Sequence, residues 1–180
     1  MAVGIKRWLG AFAPAPVGVN GREKLYGAVG ALVGLFCTEW VGRHALGVAS
    51  PWFIAPMGAS AVLLFAAPAS PLAQPWSILA GNLVSALIGV FCAQFIGDPG
   101  LAAATAVALA IGAMFWLRCL HPPSGAVALT AVLGGPPVAA LGYGFVLWPV
   151  GLNTVILLCI AVVFNLSLIH ISEPTRLRRI

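Results

Sequence analysis

Arg118, His121 and Ser124 fall close together in the stretch RCLHPPSGAVALTAVLGG, Arg118 to Gly135, inside a chain that is otherwise almost entirely hydrocarbon. A guanidinium, an imidazole and a hydroxyl are the groups that hold a small anion. Arg118 offers a fixed positive charge with a fork that suits a planar anion. His121 offers a ring N–H, and a charge when protonated. Proline is favoured in the first turn of a helix, where its missing N–H would have no partner anyway, so His121-Pro122-Pro123 reads as an extended entry to a helix. The N–H groups of Ser124, Gly125 and Ala126 would then be free at the helix start, an arrangement that attracts anions. The same residue types recur at Pro56, Gly58, Ala59 and Ser60, so two such starts would build one site. Close helix packing accounts for the small residues equally simply, snorkelling to the interface accounts for Arg118, and a capping role accounts for His121.

Four further residues belong to the candidate set. Asn82 and Asn153 are either hydrogen-bonding glue between helices or donors to a substrate. Glu39 is an intramembrane carboxylate, a candidate proton carrier, but Arg43 follows at i+4 and would make an ion pair on the same helix face. Asp98, in Gly97-Asp98-Pro99-Gly100, reads as a turn residue. The cysteines Cys37, Cys92, Cys119 and Cys159 form no C-x-x-C pair and read as small buried apolar residues, so no metal or other cofactor is expected. There is no phosphate loop, nucleophile elbow or H-E-x-x-H stretch, and an enzyme is not expected.

The elements that must position these residues follow from composition. The chain is 61% hydrophobic and 7% charged, too few charges to cover a water-facing surface. An all-α integral membrane protein in a lipid bilayer is the class implied. The net charge of +5 sits at the two ends, which favours a cytoplasmic N-terminus by the positive-inside bias; no basic face or aromatic–basic module points to nucleic acid. Four segments have the length of a span: Lys24–Gly47, Ser77–Gly97, Leu101–Leu117 and Leu141–Asn165. Two shorter segments, Pro51–Ala67 and Pro122–Leu133, are interrupted by proline and glycine, and Pro68–Trp76 and Gly134–Pro137 read as turns. The order long, short, long occurs twice. Pro56, Gly58, Ala59 and Ala61 match Pro123, Gly125, Ala126 and Ala128 at a constant offset, so the fold expected is a helical bundle of four long spans and two short broken helices, built as an internal repeat. If the short segments cross, there are six spans; if they dip and return, there are four. Tryptophans at segment ends, such as Trp40, Trp52, Trp76, Trp116 and Trp148, read as an interfacial belt.

Residues 1–22 are expected to form a cytoplasmic arm and residues 23–165 the membrane domain. Residues 166–180 stand apart. LSLIHISEPTR, Leu166–Arg176, resembles the translation of a sequencing-library transposon adaptor, and a read-through tail is expected from about Asn165 onward; a genuine basic tail is the other reading. Removing its three arginines and one glutamate leaves a net charge of about +3.

The blocks FIAPMGASAVLLFAAPASPLAQPWSILAGNLVSALIGV and LHPPSGAVALTAVLGG together resemble the HPP family of integral membrane proteins, named for the motif found here at His121–Pro123. The resemblance runs from about Lys24 to Asn165. It implies a compact helical membrane protein, and photosynthetic members of the family are nitrite transporters. Family members usually close with a basic, tyrosine-containing end, from which this sequence departs. The function expected is therefore a transporter or channel for a small monovalent inorganic anion, nitrite being the best named candidate, in a bacterial plasma membrane. A non-transporting sensor or structural module is the alternative, and a homo-oligomer stays open.

Overall fold

A computed structural model describes residues 21–46 and 55–172, with side-chain surroundings for 21–41 and 55–167. Of the expected arm at 1–22, residues 1–20 lie outside the described residues, as does the end of the tail, 173–180; Gly21 and Arg22 already belong to the first helix. All regular structure among the described residues is helical. Helix α1 spans Gly21–Leu46, α2 Ala55–Ala66, α3 Pro75–Phe95, α4 Pro99–Trp116, α5 Pro123–Leu133, α6 Gly135–Leu141 and α7 Leu152–Ser172. A 3-10 turn at Pro71–Ala73 leads into α3, and a wide π-type turn at Val146–Gly151 leads into α7.

Proline sets most of these starts. Pro75, Pro99 and Pro123 each open a helix, where a missing N–H leaves no bond unmade. Asp98 is more than a turn residue: its carboxylate accepts from the Leu101 N–H at 2.6 Å and caps α4. Gly134–Pro137 is only in part the expected turn. Gly135 takes φ +77°, and α6 starts there with Pro136 and Pro137 in its first turn, bent 95° from α5. The expected single span at Leu141–Asn165 is also divided. Trp148 leaves helical geometry beside Pro149, so α7 begins only at Leu152.

Among the described residues three stretches are long and apolar enough to cross a membrane: Pro75–Phe95, Pro99–Trp116 and Val146–Ser167. A fourth exists if α5 and α6 form one bent span. Against the expected four long spans, α1 has 26 residues, a rise of about 39 Å, and so the length to cross.

Two packing groups meet on α3. It carries a stripe of small and polar residues, Gly81, Asn82, Ser85, Ala86 and Gly89, and packs against α4, α5, α7 and the π-type turn. Ala102, Ala106 and Ala110 of α4 close on Cys92 and Ala128, an interface of small side chains that lets the backbones approach. On the other side α1 packs on α2 and α7. Its Gly30 and Gly34 leave the hollow that Phe65 fills, and Phe65 meets Phe164 edge-to-face at 5.5 Å. The Gly27/Gly30/Gly34 spacing is thus used for helix packing.

The two short helices lie in matching surroundings. Pro56 and Pro123 are buried, as are Ala61 and Ala128, and Leu64 and Ala131. Gly58 and Gly125 are half-buried, and Ala59 and Ala126 are exposed. Helices α2 and α5 also pack on each other.

Candidate functional site

The centre of the molecule is polar where these short helices meet. His121 is fully buried in the turn between α4 and α5. Its Nδ1 lies 2.8 Å from the Leu72 carbonyl, and its Nε2 lies 2.8 Å from Ser60 Oγ on α2. A carbonyl only accepts, so Nδ1 carries a proton; in the neutral ring Nε2 then accepts from the Ser60 hydroxyl. One imidazole therefore ties α2, the turn before α3 and the start of α5 together. The 3-10 turn that presents Leu72 is itself held. Ser70 Oγ accepts from the Leu72 N–H at 3.2 Å, and Ser77 of α3 donates to the Pro71 carbonyl at 3.3 Å.

A second chain of hydrogen bonds runs beside the first. Ser124 donates to the Asn82 side-chain oxygen at 2.8 Å, and the Asn82 amide donates to Thr154 Oγ1 at 3.0 Å. Ser60, Asn82, His121, Ser124 and Thr154 are all fully buried. Gly81 makes the assembly fit. A side chain there would lie 2.9 Å from the Cys119 carbonyl, 2.9 Å from Ser124 Oγ and 3.1 Å from His121 Cβ. Glycine lets the His-Pro-Pro turn lie directly on α3. The Ser85 hydroxyl, one turn along α3, is buried with no hydrogen-bond partner, an unusual condition for a buried donor.

Not every expected residue joins this cluster. Arg118 is exposed. It adopts φ 54°, with its N–H on the Phe115 carbonyl and the Cys119 N–H on the Met114 carbonyl. That is the Schellman pattern at a helix C-terminus, with arginine where glycine is usual. The expected free N–H groups are corrected in part. The Ser124 N–H donates to the His121 carbonyl at 2.9 Å and the Gly125 N–H to the Pro122 carbonyl at 3.1 Å. Pro122 is itself helical, so the entry is already wound and these donors are taken up locally. On α2, Pro56 is buried, Gly58 half-buried and Ala59 exposed, so only Ser60 of that set reaches the cluster through its side chain. Asn153 is buried on α7 beside Thr154. Glu39 is half-buried on α1, and the side chain of Arg43 lies outside the described residues.

Thr154 and the Leu72 carbonyl are members that residue-type reasoning missed, as it missed the buried Ser85 nearby on α3. Thr154 adjoins Asn153 and Ser85 lies three residues after Asn82, but a backbone carbonyl carries no sequence signal at all. An apolar cleft of about 200 Å³ opens elsewhere, between the end of α2, the 3-10 turn and α7; Leu64, Pro68, Leu158 and Asn165 are among its walls, and no member of the polar cluster lines it. Among the described residues no three of His, Cys, Asp or Glu gather as metal ligands.

Two transmembrane proteins of Dictyostelium discoideum are each 36% identical to the chain, one over 118 residues (63% of this chain, 38% of that protein) and one over 127 residues (68% and 44%). The chain thus spans less than half the length of the curated relatives it matches. No solved structure matches it. The family model described as HPP, transmembrane region, matches residues 16–173 and so takes in the whole helical assembly and its His-Pro-Pro turn. The chain belongs to the HPP transmembrane-region family.

Proposed function

We propose that this integral membrane protein moves a small monovalent anion across the bilayer, with nitrite the best named candidate, and that the anion passes through the polar cluster between α2, α3, α5 and α7. One observation carries the reading: hydroxyl, carboxamide and imidazole groups are concentrated where two short helices meet, among helices α2, α3, α5 and α7 that are otherwise largely apolar. Polar groups at membrane depth are costly, and this makes them functional candidates. The elements around the cluster, α2, α3, α5 and α7 as far as Asn165, contain no Asp, Glu, Lys or Arg. Dipolar donors without a fixed charge suit a singly charged ion that must bind and then leave. A doubly charged anion would find too little compensation.

In this reading α2 and α5 are the corresponding short helices of the two halves of an internal repeat, their matched burial being the support, and the described form is closed. Arg118, outside the cluster, raises the local anion concentration at the surface. The bilayer is a bacterial plasma membrane with the N-terminus cytoplasmic. A second reading, a membrane module that transports nothing, is favoured by the closure: every side chain in the two hydrogen-bond chains is fully buried and bonded to another. Nitrite flux into proteoliposomes separates the two. The wild type is expected to take up nitrite, Arg118→Ala to need more nitrite for half-maximal flux, and His121→Ala to lose uptake. A folded wild type that moves no nitrite eliminates the nitrite reading.

A further inference from the structure

We infer that His121 and Ser60 take up an anion and a proton together, so that the chain handles its anion as a neutral pair; this rests on the anion-transport reading above. The first support is bond direction. The Leu72 carbonyl holds a proton on Nδ1, which leaves the neutral ring with only a lone pair at Nε2, and the Ser60 hydroxyl donates to that lone pair. In this state the pair offers an anion nothing. The lone pair repels it and the hydroxyl is already committed. A proton on Nε2 reverses both conditions at once. The ring becomes a donor at Nε2, and the Ser60 hydrogen is released to point elsewhere. One proton thus creates two donors at the same place, one on α2 and one in the turn before α5.

The second support is the charge inventory around the ring. Neither α2, the turn at residues 68–74, α3, α4, residues 119–133 nor residues 146–165 contains Asp, Glu, Lys or Arg. Their other titratable groups are Cys92 and Cys119, both buried, and Cys159, exposed; a thiol is neutral at ordinary pH. The π-type turn is preceded by Tyr143, which is exposed. Helix α1 packs on α2 and brings Arg22, Glu23, Lys24 and Tyr26 at its start and the half-buried Cys37 and Glu39 further along, followed by Arg43 and His44, whose side chains lie outside the described residues. Asp98 caps the far end of α4, and Arg118 is exposed. No carboxylate therefore stands on α2, the turn at residues 68–74, α3 or residues 119–133, the stretches that bond to His121 or lie against it, to balance an imidazolium. A buried charge without a partner is heavily penalised. The proton alone is disfavoured for want of a counter-charge, and the anion alone for want of a donor. Together they form a hydrogen-bonded ion pair with no net charge. The proton comes from water on the side to which the site opens and leaves with the anion on the other.

Linkage then sets the pH dependence. While the anion-free ring is neutral, each anion bound takes up one proton, and affinity rises about tenfold for every unit by which pH falls. The test uses the full chain in detergent with sodium nitrite as the probe. Calorimetry in buffers of different ionisation enthalpy counts protons taken up per nitrite bound, and ring-nitrogen NMR reads the imidazole, with His121 assigned by the signal lost in His121→Gln. The expected result is one proton per nitrite, the tenfold slope, and a ring that passes from the Nδ1–H form to the doubly protonated form when nitrite is added. Nitrite binding without proton uptake, on a ring that stays neutral, overturns this inference and leaves the anion reading intact. A His121→Gln chain that keeps the slope also overturns it, since the proton then binds elsewhere. A folded chain that binds no nitrite overturns both.

Discussion

Gly81 is the position where a single methyl group should separate the site's architecture from ordinary helix stability. A Cβ there lies 2.9 Å from the Cys119 carbonyl oxygen, 2.9 Å from Ser124 Oγ and 3.1 Å from His121 Cβ. Comfortable separation is about 3.5–4.0 Å between carbons and somewhat less from carbon to oxygen, so the turn carrying His121 must retreat by a few tenths of an ångström. Two of the three atoms belong to backbone or to a Cβ and cannot swing aside. Overpacking of this kind costs about 1–3 kcal/mol. Alanine also gains up to about 1 kcal/mol over glycine as a helix former, which blurs the net effect. Gly112 removes that ambiguity. It lies inside α4 with nothing within 4 Å of its Cβ position. Gly112→Ala gains the same propensity without the clash, so the difference between the two variants isolates the packing cost. Gly81→Ala should be less stable than Gly112→Ala by about 1–3 kcal/mol, read as the shift in unfolding midpoint on titrating sodium dodecyl sulfate into detergent micelles. Equal stability of the two variants would refute the close seating of the His-Pro-Pro turn on α3.

Other substitutions probe single contacts. Arg118→Gly should raise stability by about 1 kcal/mol, because arginine at φ 54° carries a left-handed penalty that glycine lacks; the same variant should raise KM for nitrite at low salt and leave kcat unchanged. Asn82→Ala strands both the Ser124 hydroxyl and Thr154 and should destabilise the fold by about 1–2 kcal/mol in the same titration, near the upper end of values seen for polar contacts between membrane helices. Asp98→Ala removes the α4 cap and should cost about 1 kcal/mol, and Asp98→Ser should restore most of it. Ser85→Ala deletes a buried hydroxyl that has no partner and should be neutral or stabilising by up to about 1 kcal/mol.

Much of the fold could be read where local chemistry decides it. The short segment expected at Pro122–Leu133 differs from α5, Pro123–Leu133, by one residue, because proline opens a helix and glycine follows its end. The apolar spans of α3 and α4 follow for the same reason. The C-terminal region was harder. Pro149 signals a break, but whether the chain then kinks, widens into a π-type turn or stops depends on what α3, packed against it, leaves room for. Arg118 shows the opposite difficulty. Its charge suggested an anion ligand, whereas its backbone serves as the C-terminal cap of α4, a task that glycine usually performs and that arginine does not advertise. Residue type and spacing point to Ser60, Asn82, His121 and Ser124. Their pairing was not legible, since Ser60 and His121 meet across 61 positions of chain and Asn82 and Thr154 across 72. The role of Gly81 becomes visible only once the turn at Cys119–Ser124 is laid upon it.

Nitrite uptake into proteoliposomes holding the full chain, measured against empty vesicles and against His121→Ala, is the most direct test of the proposal that the central polar cluster carries an anion. Saturable uptake by the wild type that His121→Ala abolishes, in a variant shown to remain folded, is the predicted result. Uptake no faster than that of empty vesicles, from a wild type verified as folded, would contradict it and leave the sealed cluster as a structural core.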